Sequence, residues 1–396
     1  MINRKKLQFE IISKKLTYPK AGRKDTFLWD FLLCLLYDYS ETIKRGILMR
    51  TQEQIVNLFR NFSIKECKGS SDLYEYLAIK IAEDEEVLTL SSYAQAGQPV
   101  PNLLLGAVHY LLLAGKEHHL KTYYSSLVES ANTDLDQAFH HFKDFCKMYR
   151  EEIITLLQTK LVQTNEVRRC AYLYPSFNYI FNKVNKPLAL IEIGTSSGLQ
   201  LFWDQYSYSY GTGESYGNIN SNVHVTSEIR GENVPQLLKE SPPVVERIGL
   251  DLHVNDLHSD EDYLWLRALI WPEHKERLEL FDQAASLVKN KSVQLIEGDG
   301  VELLPSIIEQ IGEDAVICIF HTHVANQIPE QVKRKLEKQI QEIGAKRDVF
   351  HLYNNMWDRD LHIDYYINGN EYRETVGETE GHGRWFSWKI GDRSLC

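Results

Sequence analysis

The sharpest change of pattern in the chain lies at residues 188–206, LALIEIGTSSGLQLFWDQY. The run Leu188-Ala189-Leu190-Ile191 is continuously apolar, as a strand buried on both faces requires. It ends in a turn bearing Gly194 and Gly198, after which Leu199, Phe202, Trp203 and Tyr206 recur at spacings of three and four. That period predicts a helix with one buried face. Strand, glycine turn and helix form the first half of a nucleotide-binding βαβ unit, whose helix N-terminus attracts a carboxylate or phosphate.

Upstream of this unit the apolar positions follow helical spacing, with no sustained alternation of period two. Phe27, Phe31, Cys34 and Leu35 share one helical face. A second helix is predicted over 103–113, with Asn102 as N-cap and Gly115 as stop. The longest is predicted over 136–159, where apolar residues alternate spacings of three and four. Residues 1–160 therefore read as a helical N-terminal cap domain, and 161–396 as a second, sheet-bearing domain.

That second part opens on Gln163-Thr164-Asn165-Glu166, which leads into a helix through Phe177. Thr164 and Asn165 suit N-capping, but the adjacent Arg168 and Arg169 beside Glu166 exceed what a cap needs. Residues 207–222, rich in Gly, Ser, Asn and Tyr, read as a flexible loop and candidate lid. Strands are predicted over 223–229, 244–252, 293–296, 315–320 and 349–353. Helices are predicted over 260–288, broken at Pro272, and over 330–343. Two closing strands, 362–367 and 384–390, could pair as a hairpin. This alternation predicts an α/β fold with a doubly wound, mainly parallel sheet and the 188–193 strand at its centre.

Composition narrows the class. The chain has 396 residues, 25% charged and 43% hydrophobic, an ordinary globular balance. A net charge of −11 argues against general nucleic-acid or anionic-membrane binding and favours a small-molecule partner. The six cysteines are scattered without a C-x-x-C pair, as expected of reduced thiols in a cytoplasmic protein. The N-terminus is basic but lacks a signal-peptide core. Residues 27–37 are apolar but short and interrupted by Asp30, so they read as a core helix rather than a membrane span.

A doubly wound sheet closed by an antiparallel hairpin resembles S-adenosylmethionine-dependent methyltransferases. More specifically, the chain is similar to a bacterial family known as domain of unknown function 2332. The carrying blocks are Gln163-Thr164-Asn165-Glu166, Leu190 to Gly194 with Ser196 and Gly198-Leu199, and Asp204 with Tyr206 and Tyr208. Further blocks are Arg247, Gly249 and Asp251-Leu252, then Trp265-Leu266-Arg267-Ala268, Trp271-Pro272-Glu273, Glu276-Arg277-Leu278, Gly298-Asp299 and Phe320-His321-Thr322. The resemblance implies a methyltransferase-like Rossmann domain behind helices.

In that reading Glu192 and the turn Gly194, Thr195, Ser196 and Gly198 hold the methionine end of S-adenosylmethionine. Asp251 takes the ribose hydroxyls, since a carboxylate accepts two hydrogen bonds side by side. Asp299 meets the adenine amino group. Asn165, Glu166 and His323 are expected to bind substrate, and His321 to act as general base. One departure stands out: Ser196 occupies the place of the usual middle glycine.

Two other readings fit the same residues. Gly194-Thr195-Ser196-Ser197-Gly198 matches the G-x-S-x-G nucleophile elbow, with Asp299 and His321 or His323 following in hydrolase order. The elbow normally follows earlier strands of the same sheet, whereas helices precede it here. A protein that binds an adenosyl ligand without chemistry is the remaining class. No metal site is expected, because His321 and His323 have no evident third ligand.

Overall fold

A computed structural model describes residues 50–391, so the helix face expected from Phe27, Phe31, Cys34 and Leu35 lies outside the described residues. The first described helices are α1 (Gln52–Phe62), α2 (Asp72–Ile81), α3 (Glu85–Ser91), α4 (Val100–Leu113), α5 (Leu135–Met148) and α6 (Arg150–Thr159). Their apolar faces meet in one cluster that fully buries Phe59, Leu77, Leu104, Phe142 and Leu157. α4 begins earlier than expected. Pro99 is its N-cap residue and Pro101 lies in its first turn, where a missing N–H costs nothing, and Asn102 makes no cap. The long helix expected over 136–159 is two helices, broken at Tyr149 (φ −109°, ψ 31°). There the tyrosine ring packs 4.6 Å from Phe145 and its hydroxyl donates to Glu117 O at 3.1 Å.

The helical layer is sewn to the rest by residues far along the chain. Helices α7 (Cys170–Val184), α8 (Asp260–Ala268) and α9 (Lys275–Val288) follow. Trp265 of α8 completes the helical cluster and donates its indole N–H to Leu161 O at 2.8 Å. His109 Nδ1 lies 2.9 Å from Ala268 O. Glu273 accepts from Ser71 Oγ at 2.7 Å and from Leu73 N at 2.9 Å, closing the N-terminus of α2.

The main sheet comprises β1 (Leu188–Ile193), β2 (Val244–Asp251), β3 (Gln294–Glu297), β4 (Val316–His321), β5 (Val349–Asn354), β6 (Leu361–Ile367) and β7 (Asn370–Gly377), in the order β7-β6-β5-β4-β1-β2-β3. Strands β1 to β5 run parallel, and β6 and β7 close the sheet antiparallel. β1 is buried at every position because side chains alternate between two covered faces. Leu188 and Leu190 face a core shared with α7 and α9. Ala189, Ile191 and Ile193 face a second core beneath α10 (Gly300–Ile308) and α11 (Glu330–Gly344). The order reverses between β1 and β4, and a doubly wound sheet opens its ligand crevice at such a switch point.

Three more expectations change. The helix expected after β1 is a kinked 3₁₀ segment, Leu199–Gln205, with Phe202 off helical geometry at φ −104°. Its carbonyls are claimed from outside: Tyr206 Oη donates to Leu199 O at 2.7 Å, Tyr208 Oη to Trp203 O, and Arg247 to Leu201 O. The expected loop at 207–222 instead contributes Ser207–Ser209 and Ser215–Gly217 to a small sheet with His224–Thr226. Tyr208 and Tyr210 are buried there, and Tyr174 stacks on Tyr208 at 4.3 Å, so the segment is anchored in the core through its strands, while 211–215 and 218–220 are exposed. The closing hairpin pairs β6 with β7, and the segment 384–390 is not its second strand. The turn residues Asn368 (φ 52°) and Gly369 (φ 76°) both take the positive φ of a type I′ turn. Trp385–Ser387 pairs in parallel with Glu228–Arg230 instead. Among the described residues no helix is long and apolar enough to cross a membrane.

Candidate functional site

A cavity of about 690 Å³ lies over the carboxyl ends of β1 to β4, within the size range of small-molecule sites. Its walls include Asn165, Glu192, Gly194, Thr195, Ser196, Asp251, Asp299 and His323 among the residues expected from sequence, together with Gln163, Arg169 and Thr322. Gly198, Glu166 and His321 do not line it.

The turn after β1 holds three residues in the left-handed region: Gly194 (φ 79°), Ser196 (φ 54°) and Gly198 (φ 78°). Serine there is strained, and surrounding bonds hold it in place. Ser196 N donates to Asp251 Oδ2 at 2.7 Å, Asn255 N to Ser196 O at 3.1 Å, and Asn255 Nδ2 to Ser196 Oγ at 3.1 Å. A Cβ on Gly194 would stand 2.3 Å from Val324 Cγ2, so glycine admits the loop that follows β4. Gly249 admits Thr195 in the same way, since a Cβ there would stand 2.6 Å from Thr195 Oγ1.

Thr195 uses that space to donate its hydroxyl to Glu192 at 2.6 Å. Burial pushes the Glu192 carboxyl up to about 8, so it is mostly protonated at neutral pH. Asp251, at the end of β2, also accepts from Gln163 Nε2 at 3.3 Å and from His253 N at 3.2 Å, both through Oδ1. Asp299 N-caps α10, receiving Val301 N at 2.9 Å and Glu302 N at 3.2 Å on Oδ1, which leaves Oδ2 outside the cap.

The remaining expected residues separate. Asn165 donates its amide to Ser197 Oγ at the cavity wall. Glu166 turns inward, caps Arg168 N at 3.2 Å, and pairs with Arg277 at 2.7 Å and His382 at 3.1 Å. Burial opposes its charge, but Arg277 and His382 outweigh burial and hold the carboxyl at about 2. His321 is fully buried with its Nε2 3.1 Å from His351 Nε2, and burial drives it down to about 4. It sits within the sheet, away from the cavity wall. His323 is the histidine on the wall. Its positive φ of 57° turns it out of line with β4, Asn354 receives its N–H at 2.8 Å, and Asn355 contacts Nδ1 at 3.1 Å. Its Nε2 is buried without a partner, and burial followed by Arg169 pushes the ring down to about 3.

The paired arginines singled out in the sequence have different fates. Arg168 pairs with Glu276 at 2.8 Å. Arg169 reaches the cavity, donating Nε to Gly381 O at 3.0 Å and lying beside Thr322. Among the described hydrogen bonds Ser196 Oγ has Asn255 as partner and no histidine, so the charge relay of a serine hydrolase is not assembled.

Fold and site together define an α/β protein with a ligand-sized cavity at the switch point of a mainly parallel sheet. Residues 56–388 match the family described as an uncharacterized protein conserved in bacteria (DUF2332), and the chain belongs to that family. No curated protein and no solved structure matches the chain.

Proposed function

We propose that the protein is an S-adenosylmethionine-dependent methyltransferase acting on a small polar molecule. The observation that carries this reading is a set of three acids, Glu192, Asp251 and Asp299, on one cavity wall at the ends of successive strands β1, β2 and β3. The residues present suit the cofactor. Asp251 would take the ribose hydroxyls and Asp299 Oδ2 the adenine amino group. Glu192 would ionise against the ammonium of the methionine end. When bound, the cofactor supplies an electrophilic methyl group. The protein's remaining task is to align an acceptor and exclude water. Thr322 and His323, at the end of β4, form the wall across the switch point from those acids and would orient the acceptor.

One observation favours a second reading, an adenosyl-binding protein without chemistry. Val324 packs against Gly194, and Ser196 stands at the middle of the turn, where the cofactor would come closest. Calorimetric titration with S-adenosylmethionine and S-adenosylhomocysteine tests both. The expected outcome is binding of both, weakened in Asp251→Ala by about 1–3 kcal/mol, the scale of hydrogen bonds lost from a charged group. Binding of neither at millimolar concentration would overturn both readings. Binding without methyl transfer to any component of a cell extract would leave the second.

A further inference from the structure

Arg169 is a buried cation whose counter-charge is missing. Its side chain lines the cavity, yet the residue is only 7% exposed. Its hydrogen bonds go to neutral oxygens, Gly381 O at 3.0 Å and the backbone and hydroxyl of Thr322 at 3.5 Å. Among the described residues no carboxylate lies within ion-pair distance of it. The acids close enough to feel it are engaged elsewhere. Glu166 is committed to Arg277 and His382. Glu192 is bonded to Thr195 and favours its neutral form. Glu380, which acts on the neighbouring His323 instead, pairs with Arg384 at 2.9 Å. An unpaired buried guanidinium is costly, and an anion entering the cavity would offset that cost.

Beside it, His323 offers Nε2, a buried ring nitrogen without a partner. A neutral histidine can donate from one ring nitrogen, and Nδ1 already faces the Asn355 amide. The guanidinium fork fits a carboxylate with two parallel N–H···O bonds. The rest of the wall includes apolar side chains, Ile193, Leu250, Val301, Val324 and Ile328 among them.

We propose that Arg169 and His323 form an anion anchor, and that the molecule held there is a small organic carboxylate with an apolar body. This rests on the methyl-transfer reading only in naming the bound carboxylate as the acceptor. An ionised acceptor needs no proton removed, which suits a wall whose one histidine is held neutral and weakly basic.

The test is calorimetric titration of the full chain, in chloride-free buffer, with monocarboxylates from acetate to hexanoate, each beside its amide. The expected result is that one or more acids bind roughly tenfold or more tightly than the matching amide, the scale of a charged hydrogen bond. Arg169→Gln abolishes that preference, Arg169→Lys keeps part of it, and His323→Phe reduces it, with melting curves showing each variant folded. Should Arg169→Gln fail to fold, loss of half or more of the preference in Arg169→Lys supports the anchor, and an unchanged preference overturns it. Equal binding of acids and amides, no acid binding, or binding of inorganic phosphate alone would also overturn it. Titrating S-adenosylhomocysteine into the same samples separates the two proposals. Adenosyl binding without an acid preference sinks the anchor alone. An acid preference without adenosyl binding sinks methyl transfer and leaves the anchor.

Discussion

Glu192 illustrates how one buried side chain can report ligand chemistry. Its carboxyl sits near 8 because burial penalises the charged form. A cationic ligand group beside it would favour the ionised form, so binding would release a proton. Affinity for S-adenosylhomocysteine should then rise between pH 6.5 and 7.5, by up to about tenfold per unit. In Glu192→Gln the same interval should be flat, as calorimetry at the two pH values would show. A flat wild-type profile would remove Glu192 from the ammonium site. The raised value has a stability consequence of the opposite slope. Its favourable contribution is full below the ordinary 4.5 and is lost as pH rises through about 8. The sequence pointed to Glu192 through its place two residues before the turn. It did not reveal the protonation state, which burial sets and the Thr195 hydrogen bond only partly offsets. The histidines show the same limit. Residues two apart on an unbroken strand share a face, but the positive φ of His323 ends that register and separates it from His321.

At the scale of elements, length was legible for strands buried on both faces and for a helix with one wet face. β1, β2, β4, β5 and α11 lie within a residue or two of their sequence limits. The failures occur where tertiary bonds compete with the local pattern. Spacings of three and four suited an α-helix over 199–206, yet side chains from Tyr206, Tyr208 and Arg247 take its carbonyls. The tyrosines at 206, 208 and 210 alternate with period two, a strand signal masked by the polar residues between them. Asn368-Gly369 is a strong hairpin signal and would have located β7. The segment before α7 matters through Glu166, whose buried carboxylate joins it to α9 and to the His382 segment. Glu166→Ala would leave Arg277 buried without its partner. It should cost about 3–5 kcal/mol in chemical denaturation, the scale for breaking a buried pair. A loss below about 1 kcal/mol, the scale of an exposed pair, would show that solvent reaches the cluster.

For the molecule as a whole, acid should be more damaging than mild base. His109 and His321 are buried and neutral, each held near 4 by burial against an ordinary 6.5. The unfolded chain binds protons below 6.5 while these folded sites resist them. Their contribution is therefore full above 6.5 and drains away as pH falls toward about 4. Melting temperature should decline across that window, and His109→Gln should flatten part of the decline. An unchanged slope in that variant would exclude His109 as a cause.

His109 belongs to the seam between the helical layer and the sheet, and Glu273 does too. This carboxylate finishes the first turn of α2 from two hundred positions further along the chain. A helix whose end is completed by a remote segment cannot form fully until that segment has arrived. During synthesis α2 would emerge long before its cap, so the layer should consolidate only after residue 273 leaves the ribosome. Protease resistance of arrested nascent chains should accordingly appear late and in one step, and early resistance of shorter chains would show that the layer folds without the cap.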